Sequence, residues 1–196
     1  MRLIGEGAEA KVFEVDLFGM RAVAKQRHAK RYRIREIDEM LRKTRTKKEA
    51  RVIYRAHRSG VTVPRLLGVG QFTIYMEMVE GTMLKDMRDT YSGYADIGKM
   101  LAKMHNADVV HGDFTPANII VGRGRAACVI DFGLSEISAS IEDKAIDLLL
   151  MKRSIDSKSY AKMLAAYREE AKQAKQILTR LADVEQRGRY QTRTLV

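Results

Sequence analysis

Residues 111–118 read HGDFTPAN and place Asp113 and Asn118 five positions apart in a turn-rich run. A second carboxylate, Asp131, ends an apolar strand-like run and opens the sequence DFG, 18 residues after the first. In-line phosphoryl transfer needs a group that orients the attacking hydroxyl and oxygen ligands that hold magnesium. Asp113 can take the first role, and Asn118 and Asp131 can hold the metal. The alternative is ordinary loop chemistry, since a loop Asp most often makes an Asx-turn.

The N-terminal segment holds a glycine-rich stretch followed by a lysine. Residues 5–12 read GEGAEAKV and resemble the G-x-G-x-x-G-x-V loop of protein kinases, with alanine at the third glycine. The alternating run AVAK, residues 22–25, matches the strand whose lysine reaches the α and β phosphates of ATP. Either motif alone is weak, because such glycines often only make a turn and a lone strand lysine usually lies on the surface. In combination they predict ATP as cofactor, bound by Gly5, Gly7, Ala8, Glu9, Ala10, Val12 and Lys25.

The phosphate-binding lysine requires a carboxylate partner. We assign this role to Glu49, in the helical stretch TKKEARVIYRAH. Glu36 and Glu39 lie in the same helical segment and remain alternatives.

Composition favours a globular chain without a membrane span. Of the 196 residues 45% are hydrophobic and only two are proline, and no apolar run approaches the roughly 20 residues needed to cross a bilayer. The N-terminus lacks the pattern of a signal peptide. The single cysteine, Cys128, excludes an internal disulfide, so we expect a reducing, cytoplasmic setting.

Positive charge is concentrated in one segment. Residues 21–58, called here the basic segment, hold 15 Lys and Arg against four Asp and Glu, a surplus of 11 that equals the net charge of the chain. Such a patch predicts a polyanionic partner, or else a solvated helix face with no partner. We expect contacts to nucleic-acid phosphates, which the family resemblance given below implies are those of tRNA, from Arg42, Lys43 and Arg45, and a second contact from Arg187–Arg189 in the tail QRGRYQTRTLV. An acidic protein partner is the competing interpretation.

Periodicity predicts a β-rich first part and a helical second part. Residues 3–27 and 64–79 alternate like strands, and residues 30–58 are typical of a helix that Gly60 ends. After Gly81, helical spacing dominates. We therefore predict an α+β chain of two lobes, residues 1–80 and 81–196, with a cleft between them.

Together, the order of glycine-rich loop, AVAK lysine, helix glutamate, HxDxxxxN and DFG resembles the eukaryotic-like protein kinase superfamily. The match narrows on the basic tail and on five segments: GEGAEA, KRYRIREIDEMLRKTRTKKEARVI, HGDFTPANIIV, IDFGLS and EDKAIDL. They are similar to one small family, the kinase or ATPase subunit of the KEOPS complex, which is related to RIO kinases. The resemblance covers essentially the whole chain and implies a two-lobed protein-kinase-like fold with a shortened helical C-lobe.

The resemblance also implies functions. Family members act as Ser/Thr kinases in isolation and as ATPases in a complex with the subunit that transfers threonylcarbamoyl to tRNA and a further small subunit. Asp113 would be the catalytic aspartate with Lys25, and Asn118 and Asp131 would hold magnesium. The segment MEMVEG, residues 76–81, would bind adenine through Glu77 and Met78.

Some features leave alternatives open. Asp147 would brace the catalytic loop by resemblance, but a surface carboxylate is an equal interpretation. Gly112 replaces the arginine of the common His-Arg-Asp motif, so we expect no switch by a phosphorylated activation loop. His-Gly-Asp loops also occur in aminoglycoside and choline kinases, which keeps a small-molecule kinase as an alternative. A nucleotide-dependent binding subunit with little kinase activity is another.

Overall fold

Five antiparallel strands form the N-terminal sheet of the computed structural model, which describes residues 1–87, 90–124 and 126–193 and side chains up to 187. Along the sheet the order is β1-β2-β3-β5-β4. The register pairs Val12 on β2 with Lys25 on β3, which brings the glycine-rich loop (residues 5–12) close to Lys25. The strands are β1 (Arg2–Glu6), β2 (Ala10–Leu17), β3 (Met20–Arg27), β4 (Leu66–Val69) and β5 (Thr73–Glu77).

One long helix, α1 (Arg35–Arg58), packs against this sheet. Acidic residues in its first turn and basic residues in its last turn suit the helix dipole. It ends where Gly60 adopts a φ of +78°, a left-handed conformation that glycine adopts most readily. The sequence predicted a helix from residue 30, but residues 30–34 precede its first turn.

The remaining elements are mostly helical. Helix α3 packs against α5, and α4 packs against α6. Two small sheets, with strand orders β6-β8-β9 and β7-β10, complete this part of the chain. The elements are β6 (Thr82–Met83), α2 (Leu84–Met87), α3 (Tyr94–Asn106), β7 (Val109–Val110), β8 (Ile119–Val121), β9 (Ala127–Val129), β10 (Glu136–Ile137), α4 (Ile141–Ser154), α5 (Ser157–Glu170) and α6 (Ala174–Arg193).

The α+β, kinase-like architecture predicted from the sequence is confirmed. The basic tail, to which the sequence analysis assigned no element, continues α6 as far as Arg193. The last three predicted tail residues, 194–196, lie outside the described residues. Within the described part of the chain, none of the helices has the length and apolar character needed to cross a membrane. The division into lobes at residues 80 and 81 stays a prediction.

Candidate active site

Lys25 forms the central ion pair of the site. Its Nζ lies 2.6 Å from Oε1 of Glu49 and 2.7 Å from Oδ1 of Asp131. The second oxygen of Glu49 accepts a hydrogen bond from Arg27 at 2.5 Å, and the Glu49 side chain is only 2% exposed. Burial lowers the pKa of Lys25, but the two carboxylates outweigh this effect and raise the pKa above its ordinary value. Lys25 is therefore charged at neutral pH and joins β3, α1 and the DFG segment.

Of the three candidate glutamates in the basic segment, Glu49 is the one that contacts Lys25. Glu36 is exposed, and Glu39 pairs with Arg35 at the helix surface. Arg27, the second cation on Glu49, is a site residue that the sequence analysis missed. Lys25 and Arg27 lie two positions apart on β3, so their side chains leave the strand on the same face. That alternation was a usable signal for a shared carboxylate.

Asp131 lies in an unusual backbone conformation that is typical of functional sites. Its φ is +58°, a region that costs a residue with a side chain on the order of 1–3 kcal/mol. Oδ1 also accepts a hydrogen bond from the backbone N–H of Gly133 at 3.1 Å. Burial raises the pKa of Asp131, but the charge and hydrogen bond of Lys25 lower it more, so the net pKa is depressed. The carboxylate is thus ionised at neutral pH and is 55% exposed.

A cavity of about 260 Å³ opens beside this ion pair, between the N-terminal sheet and the C-terminal elements. Its walls are mostly apolar and include Val23, Ile120 and Ile130, which suits a flat heterocycle. Met83, on β6, also forms part of this wall. The predicted nucleotide-contacting residues that line the cavity are Gly5, Val12, Lys25, Glu49, Glu77 and Met78. The predicted magnesium ligand Asp131 lines it as well.

The remaining predicted nucleotide contacts do not reach this cavity. Gly7, Ala8, Glu9 and Ala10 form the tip of the glycine-rich loop and the start of β2, where the N–H of Gly7 donates to the carbonyl of Ala10 at 2.9 Å. Glu9 turns away from the cavity and pairs with Arg45 on α1 at 2.5 Å. The loop carboxylate therefore contacts a helix cation, not the cavity that we assign to the nucleotide.

The predicted catalytic residue Asp113 is bonded directly to Asn118. The Asn118 Nδ2 donates to Oδ2 of Asp113 at 2.8 Å and to its backbone carbonyl at 2.9 Å. Both side chains are half-buried, and Asn118 ends a short 3-10 helix, Pro116–Asn118. Because the amide nitrogen makes both bonds, the amide oxygen is the Asn118 atom left to bind a cation. The contact also fixes the orientation of the Asp113 carboxylate.

A buried carboxylate braces the catalytic loop from below. Asp147, on α4, is 0% exposed and accepts hydrogen bonds from the backbone N–H groups of His111 at 2.7 Å and Gly112 at 2.9 Å. Its Oδ2 also lies 3.2 Å from Nε2 of His105, whose Nδ1 contacts the Tyr167 hydroxyl at 2.7 Å. Burial lowers the pKa of His105 more than Asp147 raises it, so this ring is neutral at neutral pH. The bracing role of Asp147 suggested by the resemblance is confirmed by these contacts.

Two further side chains near the site are buried. His111 is fully buried against the rings of Phe114 and Phe132 and donates from Nε2 to the carbonyl of Ile130 at 3.1 Å, so its role is structural. Cys128 is buried, and burial raises the pKa of its thiol to about 12. This thiol is therefore unreactive at neutral pH.

A steric constraint explains why the His-Gly-Asp sequence has a glycine at its second position. Gly112 has a φ of +78°, and a Cβ there would lie 2.7 Å from the carbonyl oxygen of Leu134. The turn therefore excludes an arginine at this position. The segment after DFG passes directly over the catalytic loop.

The donors near the cavity fit magnesium. Asp131 offers a carboxylate oxygen and Asn118 an amide oxygen, which are the ligand types that this ion prefers. Within residues 1–87, 90–124 and 126–193, no group of three or more His, Cys, Asp and Glu side chains forms a metal site. Magnesium is commonly held by one or two protein carboxylates, with phosphates and water completing its shell. These two residues are suited to that arrangement.

Comparison with known proteins assigns this chain to a family. The RIO domain matches residues 8–151. The KEOPS complex subunit Bud32 of Pyrococcus abyssi is 35% identical over 219 aligned positions, which cover 100% of this chain and 99% of that protein. The chain belongs to the RIO-domain Bud32 family. The resemblance drawn from its motifs is thereby confirmed.

Two further similarities are to a longer protein and to a solved structure. A protein of Methanobrevibacter smithii named as a bifunctional tRNA threonylcarbamoyladenosine biosynthesis protein is 40% identical over 198 positions. The alignment spans 96% of this chain but only 36% of that longer protein. Among solved structures, a Rio2 kinase complex with ADP, magnesium and phosphoaspartate from Chaetomium thermophilum has a TM-score of 0.66 at 17% identity. It covers 95% of this chain and 70% of its own, and it shares the fold.

Proposed function

We propose that this chain binds Mg-ATP in the 260 Å³ cavity and transfers its terminal phosphoryl group to a Ser/Thr hydroxyl or to water. The observation that carries this proposal is the contact of Lys25 with both Glu49 and Asp131. It supports the proposal because the Lys25 ammonium lines the cavity, where it can bind phosphates, and the half-exposed Asp131 carboxylate beside it can hold a metal ion. The three residues of this contact are far apart in the sequence, so the tertiary fold is what brings them into contact.

Each residue of the site has a separate task in this reaction. Lys25 binds the phosphates, and Glu49 fixes the position of its ammonium group. Asp131 and Asn118 hold magnesium, which neutralises charge on the transferred phosphoryl group. Asp113, oriented by Asn118, accepts the proton of the attacking hydroxyl or positions it. The segment of Glu77 and Met78 contacts the adenine.

The names of the relatives point to a process in which this activity would be used, the modification of tRNA. We infer that the chain works with other KEOPS subunits, including the tRNA threonylcarbamoyl transferase subunit and a further small subunit, in tRNA modification. It acts there as an atypical kinase or an ATPase. Incubation with γ-labelled ATP, with and without these subunits and tRNA, separates the two activities. Label on protein supports the kinase, released phosphate supports the ATPase, and neither product under any condition contradicts both.

The ion pairs of the predicted tRNA-contacting side chains favour a different set of residues for this proposed contact. Arg42 pairs with Asp38 at 2.6 Å and stacks over Phe72, and Arg45 pairs with Glu9. Of the three predicted contacts, only Lys43 faces solvent without such a partner in the described part of the chain.

A stripe of exposed side chains on α1 is better suited to bind tRNA. Its members recur every three or four residues, so they share one face of the helix. Its cations make no ion pair with any described residue, and Tyr54 is 58% exposed among them, which adds a surface for stacking. We call this set the α1 stripe: Lys43, Lys47, Arg51, Tyr54 and Arg58. Arg187 of the predicted tail contact pairs with Glu142 on α4 at 3.3 Å. The side chain of Arg189 lies outside the described residues, so the tail contact stays a prediction.

Charge reversal tests this surface. Changing Lys43, Lys47 and Arg51 to Glu should lower tRNA affinity strongly while ATP affinity stays unchanged, because the contacts are to phosphate. The salt dependence of binding should also fall, by about 0.7 to 0.9 in slope for each phosphate that the variant no longer neutralises. The matched control changes three exposed cations of α5 by the same charge: Lys158, Lys162 and Arg168. Equal loss of tRNA affinity in both variants would contradict a role for the α1 stripe.

A further inference from the structure

A second cavity, of about 320 Å³, lies on the α1 side of the glycine-rich loop. Glu49 and Phe132 line both this cavity and the nucleotide cavity, so the two are neighbours with a common wall. The remaining wall comes from the loop tip, β3, α1 and residues 133–135. None of the functions proposed above uses it.

The walls of this cavity carry an excess of cations. Arg27, Arg45 and Lys48 contribute three positive charges, and Glu9 and Glu49 contribute the two carboxylates. Glu49 is buried and already holds both Arg27 and Lys25, so it is fixed in place. Glu9 is 40% exposed and belongs to a loop, so it is the carboxylate that can leave.

Glu9 occupies this cavity as an anion. Its two oxygens lie 2.5 Å from Arg45 and 3.5 Å from Arg33. Burial raises the pKa of Glu9, but the hydrogen bond and charge of Arg45 lower it more, and the net pKa is depressed. Lys30 also donates to the carbonyl of Ala8, so the loop tip is tethered twice to the basic segment.

We propose that this second cavity is a binding site for a phosphate group, in which the Glu9 carboxylate occupies the ligand's position. Two guanidinium groups, Arg27 and Arg45, present the planar donors that bind phosphate oxygens in pairs, and Lys48 adds a third cation. A bound phosphate displaces Glu9 and frees the tip of the glycine-rich loop. Inorganic phosphate and a backbone phosphate of RNA share this chemistry. The site requires no nucleotide, so it stands independently of the function proposed above.

Titration of nucleotide-free protein with inorganic phosphate, at ionic strength held constant with sodium chloride, tests the site. Glu9→Gln removes the internal competitor and should tighten phosphate binding about two- to fivefold, the factor that one partly exposed ion pair represents. Glu6→Gln is the matched control, since Glu6 lies in the same loop but pairs with Lys11. It should leave phosphate affinity unchanged. Arg45→Gln should weaken it.

The outcome for Glu9→Gln decides the proposal. Phosphate binding that is absent from both wild type and Glu9→Gln, or no tighter in Glu9→Gln than in Glu6→Gln, overturns it. A short single-stranded RNA added to the phosphate complex of Glu9→Gln then identifies the source. Displacement of phosphate assigns the site to an RNA backbone phosphate, and retention assigns it to the free ion.

Discussion

Asp113→Asn should lower ATP turnover by about 10²- to 10⁴-fold, the range expected when a positioned acid–base group is removed. ATP affinity should change little, because Asp113 does not line the nucleotide cavity. The amide oxygen of the new side chain can still accept the hydrogen bond from Asn118 Nδ2, so the loop should keep its shape. Steady-state turnover and equilibrium ATP binding, measured on the same preparation, separate the two effects.

The control for this variant is Asp96→Asn, which makes the same chemical change at an exposed position in the first turn of α3. It should keep wild-type turnover. Asp131→Ala should lose both turnover and magnesium-dependent ATP binding, because that carboxylate holds the ion. Turnover by Asp113→Asn close to the wild-type rate would show that the catalytic loop has been assigned wrongly.

Glu49→Ala should produce the largest loss of stability in the N-terminal sheet. The change leaves Arg27, 4% exposed, without its carboxylate and removes one of the two partners of Lys25. Breaking a buried ion pair in this way costs about 3–5 kcal/mol. For a chain of this size the melting temperature should fall by roughly 6–20 °C. Thermal unfolding followed by circular dichroism measures the shift.

Glu39→Ala is the matched control on the same helix. Glu39 pairs with Arg35, which is 86% exposed, and such surface pairs contribute about 0–1 kcal/mol. Its melting temperature should stay close to that of the wild type. Similar melting temperatures for the two variants would mean that the Lys25–Glu49–Arg27 cluster does not stabilise the fold.

Much of the site could be predicted because its signals are local. Asp113 and Asn118 lie in one loop, and Lys25 lies on a strand whose alternation is visible in the sequence. The strand-like runs 3–27 and 64–79 and the helical character after Gly81 were predicted for the same reason, since period-2 and period-3.6 patterns report directly on one buried face. Local patterns therefore predict which strand, helix or loop carries each of these residues.

The contacts that sequence reasoning missed depend on how α1 docks against the sheet. Glu9 and Arg45 are 36 residues apart, and the basic segment offers 15 cations as partners for any one carboxylate. No pattern in the chain selects Arg45 for Glu9, or buries Arg42 over Phe72 while leaving Lys43 in solvent. Asp147 was ambiguous for a similar reason, because its partners at residues 111 and 112 become visible only once α4 lies beneath the loop.

The small β7-β10 sheet could not be predicted from the sequence either. Each strand has two residues, too few for an alternating pattern to appear. Its pairing sets Glu136 opposite Val110 and so holds the segment after DFG near the catalytic loop. Only the tertiary fold defines this pair.

Calorimetric titration of ATP into the wild type and Asp131→Ala, with magnesium and with EDTA, tests the central claim most directly. The account predicts saturable, magnesium-dependent binding to the wild type that Asp131→Ala loses. At a hundredfold excess over the dissociation constant, Mg-ATP should stabilise the wild type by about 2.7 kcal/mol and raise its melting temperature. No heat of binding to the wild type, together with a melting curve that saturating Mg-ATP leaves unchanged, would contradict it.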